Sequence, residues 1–416
     1  MRLTRRSLLQ SGAAGIATIA LGRGNLFASP PGSGKFLVVI TLDGGNDGLS
    51  TITPNHLAPY HERRPTLAIQ DPLPLDGQYG IHPALPGLQQ TWQAGELHVI
   101  QKVGYPNPNL SHFTSADIYA FGVRDPTKGD GRGWLGRLAD TYATDPLGVI
   151  AVGTARRPDL AAHHQSSLVL RDVKGFKIDH DKEAAYIPDH ILRVEHSRNL
   201  LQREAVPDDL SAEAPQGAKA DAPKSTAYQA AREAHELVER VQAETANWID
   251  PGLYPDTPMA ARLKTIAHLE SANFGTKVYY TAQGGYDTHA NQRGRHQKLL
   301  QELDGALRAF RDDMQRTGRW NECAVLITTE FGRRTEENGS DGTDHGAANA
   351  FLVMGGAIRG GMTGELTESD LLTDQPQMRY DFRELHSHLL EHHLALDPAP
   401  VFPEPFQATG ELDLVV

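Results

Sequence analysis

The run Phe36-Leu37-Val38-Val39-Ile40-Thr41-Leu42 restricts the possible folds of this chain more than any other stretch. It is apolar at every position but Thr41 and rich in β-branched residues, with no polar alternation. A strand of that kind is buried on both faces and belongs inside a parallel α/β sheet. Asp43 ends it, and Gly44-Gly45 follow, allowing a sharp turn and close approach of a ligand. Ligands of open α/β sheets sit at the carboxyl ends of strands, so Asp43 is a candidate site residue. The competing role for Asp43 and Asp47 is to hydrogen-bond turn amides.

The alternation continues along the chain. Residues 84–94 have helical spacing, with Leu85, Leu88 and Trp92 on one side, and 97–103 form the next strand. A loop rich in Pro and Asn then brings Ser111 to the start of a helix over 113–121. There its hydroxyl either caps the helix or acts as a nucleophile where free amides attract an anion. A helix over 134–142 and strands over 147–152 and 167–170 come next. Residues 174–201 read as a solvated helical excursion, and 205–226 read as an exposed linker, being Ala, Pro, Asp, Lys and Ser with few large apolar residues. Helices are expected over 228–248, 258–272, 293–317 and 380–396, and strands over 276–282, 322–328 and 350–354.

The 416 residues carry a net charge of −12, which argues against a nucleic-acid partner because phosphate binding needs a basic face. Cys323 is the only cysteine, so no intrachain disulfide forms. At the amino terminus Thr4-Arg5-Arg6-Ser7-Leu8-Leu9-Gln10 precedes a mild apolar segment that runs toward Ala28. This layout is similar to a twin-arginine export signal over roughly the first 30 residues. It implies passage through the twin-arginine translocase and a periplasmic or extracellular location. The apolar part is too short for a membrane span, and no later stretch is long enough, so an integral membrane protein is not expected.

Three strand ends and one loop share one character. Asp43, Asp287 with His289, and Glu330 each follow a strand beside glycine, and Asp344-His345 lie in the loop after Glu330. Recurrence of acids and histidines at one sheet edge is what a metal site on an α/β scaffold requires. Carboxylates with imidazoles suit Zn, Mn or Fe, and mainly oxygen ligands suit Ca or Mg. Arg333 and Arg334, beside Glu330, either clamp an oxyanion or lie on the surface. His386, His388, His392 and His393 crowd the last helix without zinc-protease spacing, and read as a solvated or packed face. Gly32-Ser33-Gly34-Lys35 precedes a strand and lacks phosphate-loop spacing.

Taken together, Asp43-Gly44-Gly45-Asn46-Asp47, Ser111 opening a helix, Gly285-Tyr286-Asp287-Thr288-His289-Ala290-Asn291-Gln292, Thr329-Glu330-Phe331-Gly332-Arg333 and Gly342-Thr343-Asp344-His345-Gly346 carry a resemblance. They resemble a bacterial family of twin-arginine-exported proteins of unknown function, which is similar to a branch of the alkaline phosphatase and sulfatase superfamily. The resemblance implies a three-layer αβα sandwich with a mostly parallel central sheet over 31–416, with a loop and helical insertion at about 172–272. It implies that Asp43 and Glu330 ligate one divalent metal with Ser111 as nucleophile, while Asp287 and His345 hold a second. The chain departs from the superfamily pattern in two places. Phe331 stands where an imidazole is usual, and Asn291 stands where a histidine is common, so His289, His112 or Asp344 would have to compensate. The expected function is hydrolysis of an anionic phosphate or sulfate ester. The alternative is an exported binding or assembly protein, with a protein partner and a degenerate site.

Overall fold

A computed structural model describes residues 34–154, 157–173 and 223–416. The expected signal segment, and most of the excursion and linker expected over 174–226, lie outside the described residues. The strands are β1 (Phe36–Asp43), β2 (Ile52–Thr53), β3 (Leu73–Pro74), β4 (Gly80–Ile81), β5 (Leu97–Gly104), β6 (Val149–Val152), β7 (Leu168–Leu170), β8 (Val278–Gly284), β9 (Cys323–Thr328), β10 (Gly332–Arg333), β11 (His345–Gly346), β12 (Asn349–Met354), β13 (Gly361–Thr363) and β14 (Tyr380–Asp381). The principal helices are α1 (Pro86–Gln93), α2 (His112–Phe121), α3 (Trp134–Tyr142), α4 (Pro223–Thr245), α5 (Pro258–Glu270), α6 (Gln292–Arg316) and α7 (Phe382–His388).

Nine strands form one sheet in the order β13-β5-β12-β9-β1-β8-β6-β7, with β14 also paired to β5. The expected central strand is central: β1 pairs in parallel with β8 on one side and β9 on the other. Its side chains divide between two cores. Phe36, Val38, Ile40 and Leu42 pack with Leu88 of α1, Leu263 of α5 and Leu303 and Leu307 of α6. Leu37 and Val39 face Ile118 of α2, Leu135 and Leu138 of α3 and Leu385 of α7. Helices cover both faces, which makes a three-layer αβα sandwich. Each fully buried Leu, Ile or Val contributes about 1.5–3 kcal/mol, so an apolar strand in the middle layer anchors both cores. Within the stretch expected as an insertion, α5 adds Met259, Leu263 and Ile266 to the first core.

Among the described strands of this sheet, only β12 runs against the rest, antiparallel to both β5 and β9. The last helix is also shorter than the spacing suggests. After His388 it widens into a π turn over Leu389–His393, where Leu394 N bonds Leu389 O and His393 Nε2 meets Phe36 O. Because β1, β5, β6, β8 and β9 share one direction, their following loops meet at one edge of the sheet. Those loops carry Asp43, His112, Arg157, Asp287 and Glu330.

Candidate metal centre

Close approach of three loops explains the glycine pair after β1. Gly44 and Gly45 have φ of +117° and +70°, and a Cβ on Gly44 would lie 2.3 Å from Asp287 N. A Cβ on Gly45 would lie 2.3 Å from the Phe331 ring. The turn after β1 thus meets the backbone after β8 and the Phe331 ring after β9. Arg333 ties them. It is buried, and its guanidinium donates to Gly45 O at 2.7 Å, Thr343 O at 2.8 Å, Tyr286 O at 3.1 Å, Gly44 O, and Asp287 Oδ1 at 2.8 Å. The sequence left Arg333 open as an oxyanion clamp, but the structure corrects this: the side chain is buried and each of its three guanidinium nitrogens is engaged, together holding four loop carbonyls and one carboxylate. Behind the turn, Asp47 is buried and paired with Arg64 at 2.7 Å, and also accepts from Ser50 and Gln292.

Around Asp287 stand three imidazoles, each held at Nδ1. His112, on the first turn of α2, meets Glu330 Oε1 at 2.9 Å. His289 meets Asp344 Oδ1 at 3.1 Å, and His345, paired across from Arg333 in the β10–β11 ladder, meets Leu110 O at 2.7 Å. A carbonyl or carboxylate can only accept, so each Nδ1 carries the proton and each Nε2 carries the lone pair in the neutral ring. The three Nε2 atoms converge on Asp287 Oδ1 at 3.3, 3.0 and 3.3 Å for His112, His289 and His345. His289 Nε2 also lies 2.8 Å from His345 Nε2, and the buried His112 Nε2 has no hydrogen-bond partner among the described residues. Two imidazole lone pairs facing each other at that distance need a proton or a cation between them.

Ligand atoms of His112, Asp287 and His345 lie within 4.8 Å of one another. This donor set fits a divalent metal: imidazole nitrogens with their far nitrogens anchored to carboxylate or carbonyl, plus one carboxylate. The electrostatics agree. Burial would raise the Asp287 pKa, but the hydrogen bond and charge of Arg333 hold it down at about 2, so it stays ionised. The hydrogen bond to Glu330 raises the His112 pKa, while burial lowers that of His345. Burial pushes Glu330 up, yet His112 and the amides of Gly44 and Gly45 bring it below the ordinary carboxylate value. The hydrogen bond from Asn338 lowers Asp344.

The residues of the expected two-metal site therefore separate. Asp287, His289, His345 and Asp344 come together, joined by His112 and by Glu330 through its imidazole bond. Asp43 does not join them. Both its oxygens contact Arg157 Nη1, at 2.9 and 2.7 Å, and burial raises its pKa despite that partner. Phe331 is buried, with ring centroids 4.8 Å from His112 and 4.6 Å from His345, a wall that offers the cluster no lone pair. Ser111 occupies the cap position of α2, but its hydroxyl makes no capping bond and the residue is exposed. Its neighbours Leu110 and His112 both touch the cluster. Sequence reasoning missed Arg157; the signal was an Arg-Pro-Asp run shortly after the end of β6. His386 is buried against Trp134 and Phe402, and His393 is buried as well, consistent with a packed face.

This fold and site define an αβα protein with a histidine-carboxylate cluster at the carboxyl edge of its central sheet. The family model for a protein of unknown function, DUF1501, matches residues 34–413, and the chain belongs to that family. No curated protein matches the chain significantly. Among solved structures it is similar to a protein in the alkaline phosphatase superfamily from Vibrio parahaemolyticus, at 10% identity over 94% of this chain and 73% of the other, with a TM-score of 0.36. It is also similar to the C-terminal periplasmic domain of EcEptC from Escherichia coli in complex with Zn, at 10% identity, 95% and 96% coverage and a TM-score of 0.37. A third is the PsFucS1 sulfatase from Pseudoalteromonas sp., at 10% identity, 81% and 66% coverage and a TM-score of 0.31. Likenesses this distant place no residue of the site, whose chemistry rests on the geometry above. Among the described residues, no helix is long and apolar enough to cross a membrane.

Proposed function

We propose that this chain is an exported, metal-dependent hydrolase of phosphate or sulfate esters with Ser111 as nucleophile. The observation that carries the reading is the convergence of three anchored imidazoles on the ionised Asp287. His112, His345, Asp287 and, at its edge, His289 would hold the ion, with Zn or Mn favoured over Ca or Mg by the nitrogen donors. A divalent ion there supplies Lewis acidity toward an ester oxygen. The chain's own residues do the rest. Arg333 keeps Asp287 ionised, and Glu330 fixes the ring of His112. Ser111 has an uncapped hydroxyl at the amino end of a ten-residue helix, where free amides and the helix dipole favour an anion. Its Oγ would attack phosphorus or sulfur in line, the bond to the departing alcohol would break, and water would hydrolyse the seryl ester.

Metal analysis of the purified protein, with hydrolysis of nitrophenyl phosphate, its diester and the sulfate, tests this. The wild type is expected to carry metal and cleave at least one ester, and Ser111→Ala to lose about 10³-fold or more of that rate. Turnover equal in wild type and Ser111→Ala defeats the serine mechanism. Phe331 favours a second reading, an exported binding or assembly protein, because a phenyl ring cannot ligate. Metal bound without turnover of any ester selects it. Export itself is tested by Arg5→Lys with Arg6→Lys, which is expected to retain the protein in the cytoplasm.

A further inference from the structure

The side of the site around Asp43 does not fit a metal ion. Asp43 has both oxygens on Arg157 Nη1, at 2.9 and 2.7 Å. Glu330 Oε1 is engaged by Gly44 N at 2.8 Å and His112 Nδ1 at 2.9 Å, and Oε2 lies 3.1 Å from the Thr329 hydroxyl, which also has Leu42 O at 2.7 Å. Phe331 offers no lone pair. The metal-competent cluster among the described residues is His112, Asp287 and His345, without Asp43. What stands beside Asp43 instead is a guanidinium held from three directions: by Asp43, by Asp159 at 3.4 Å from Nε, and by the Tyr280 ring with its centroid 5.6 Å away. A guanidinium is always charged and presents its donors in a fixed fork. Two donors of the fork are engaged, and Arg157 Nη2 donates to no group among the described residues. Arg157 lines a cavity of about 30 Å³ together with Asp43, Thr328, Thr329 and Glu330, enough for a water or a single ligand oxygen.

We propose that Arg157 is the resident cation of the Asp43 side of this site, neutralising Asp43 in place of a second metal ion and offering Nη2 to an oxyanion of the ligand. The proposal rests on the reading of the imidazole cluster as a metal centre, and it makes the site mononuclear. Four carboxylates, Asp43, Asp287, Glu330 and Asp344, then face two guanidiniums, Arg157 and Arg333, and one divalent ion restores neutrality.

Titration of the metal-free full chain with zinc, with stoichiometry checked by elemental analysis, tests it without reference to turnover. The wild type is expected to bind one equivalent and His345→Ala none. Asp43→Asn is expected to keep that equivalent. Arg157→Ala, which frees Asp43 and Asp159, is expected to gain a second, weaker equivalent, while Arg157→Lys stays at one because the charge is kept. In the zinc-loaded protein, Arg157→Ala is expected to weaken inorganic phosphate about tenfold. Two equivalents in the wild type, loss of the single equivalent in Asp43→Asn, or no gain in Arg157→Ala overturns the proposal. Should Arg157→Ala not fold, the wild-type and Asp43→Asn stoichiometries still decide. Zero equivalents in the wild type with one gained in Arg157→Ala would instead refute the imidazole centre and leave Arg157 as the cation that excludes metal.

Discussion

At the scale of single residues, two arginines with no solvent exposure do different work from what their charge suggests. Arg333 replaces water for the carbonyls of Gly44, Gly45 and Thr343, which the crossing loops would otherwise bury unpaired, and shares that of Tyr286 with Thr288. Arg64 pairs with Asp47, and both side chains have 0% exposure. It also donates to Thr335 O at 2.9 Å and Arg334 O at 2.7 Å. Burial raises the Asp47 pKa, but the charge and hydrogen bonds of Arg64 more than reverse this, so the carboxylate depends on its partner. Arg64→Ala strands that charge in the interior. It is expected to cost about 3–5 kcal/mol in urea unfolding, since one partner of a buried pair is removed. A loss below about 1 kcal/mol would mean that water reaches Asp47.

At the scale of elements, the turn after β1 is a packing joint. Gly45 combines a left-handed φ of +70° with a Phe331 ring 2.3 Å from the place where a Cβ would stand. Gly45→Ala therefore meets two penalties, about 1–2 kcal/mol for the backbone and a clash in addition. Adding Phe331→Leu is expected to relieve the clash and leave the backbone term, a partial rescue visible as an intermediate midpoint in thermal unfolding. Full rescue would show that φ strain is absent, and no rescue that the ring is not the obstacle. The glycine pair was legible in the sequence as a turn. That it brings three strand ends into contact was not, because the partners lie more than 240 residues away along the chain.

At the scale of the whole molecule, acid sensitivity follows from buried histidines on both faces of the sheet. Burial lowers His296 and His386 from 6.5 to about 4, so both are neutral in the folded protein. The unfolded chain binds those protons first. Each contribution is thus complete above pH 6.5 and is lost as pH falls toward 4, at up to ~1.4 kcal/mol per pH unit per residue. Asp287 and Asp47 have lowered values and act further down, below the ordinary 3.8 of an aspartate. Stability measured by denaturant is expected to fall first between pH 6.5 and 4, then again below that. A flat profile from pH 7 to 4 would contradict the buried neutral imidazoles.

The sequence alone determined the central strand, because a run with no polar face has only one kind of place in an α/β protein. It determined most helices and strands, since their periods are local, and it marked Asp43, Asp287, His289, Glu330, Asp344 and His345 as residues gathered at one sheet edge. The reversed direction of β12, the structural commitment of Arg333, the entry of His112 and the pairing of Arg157 with Asp43 were decided only by tertiary structure. Those outcomes depend on distances between loops far apart in the chain, and on which donor reaches a carboxylate first once the strands are aligned. Local pattern carries no record of either.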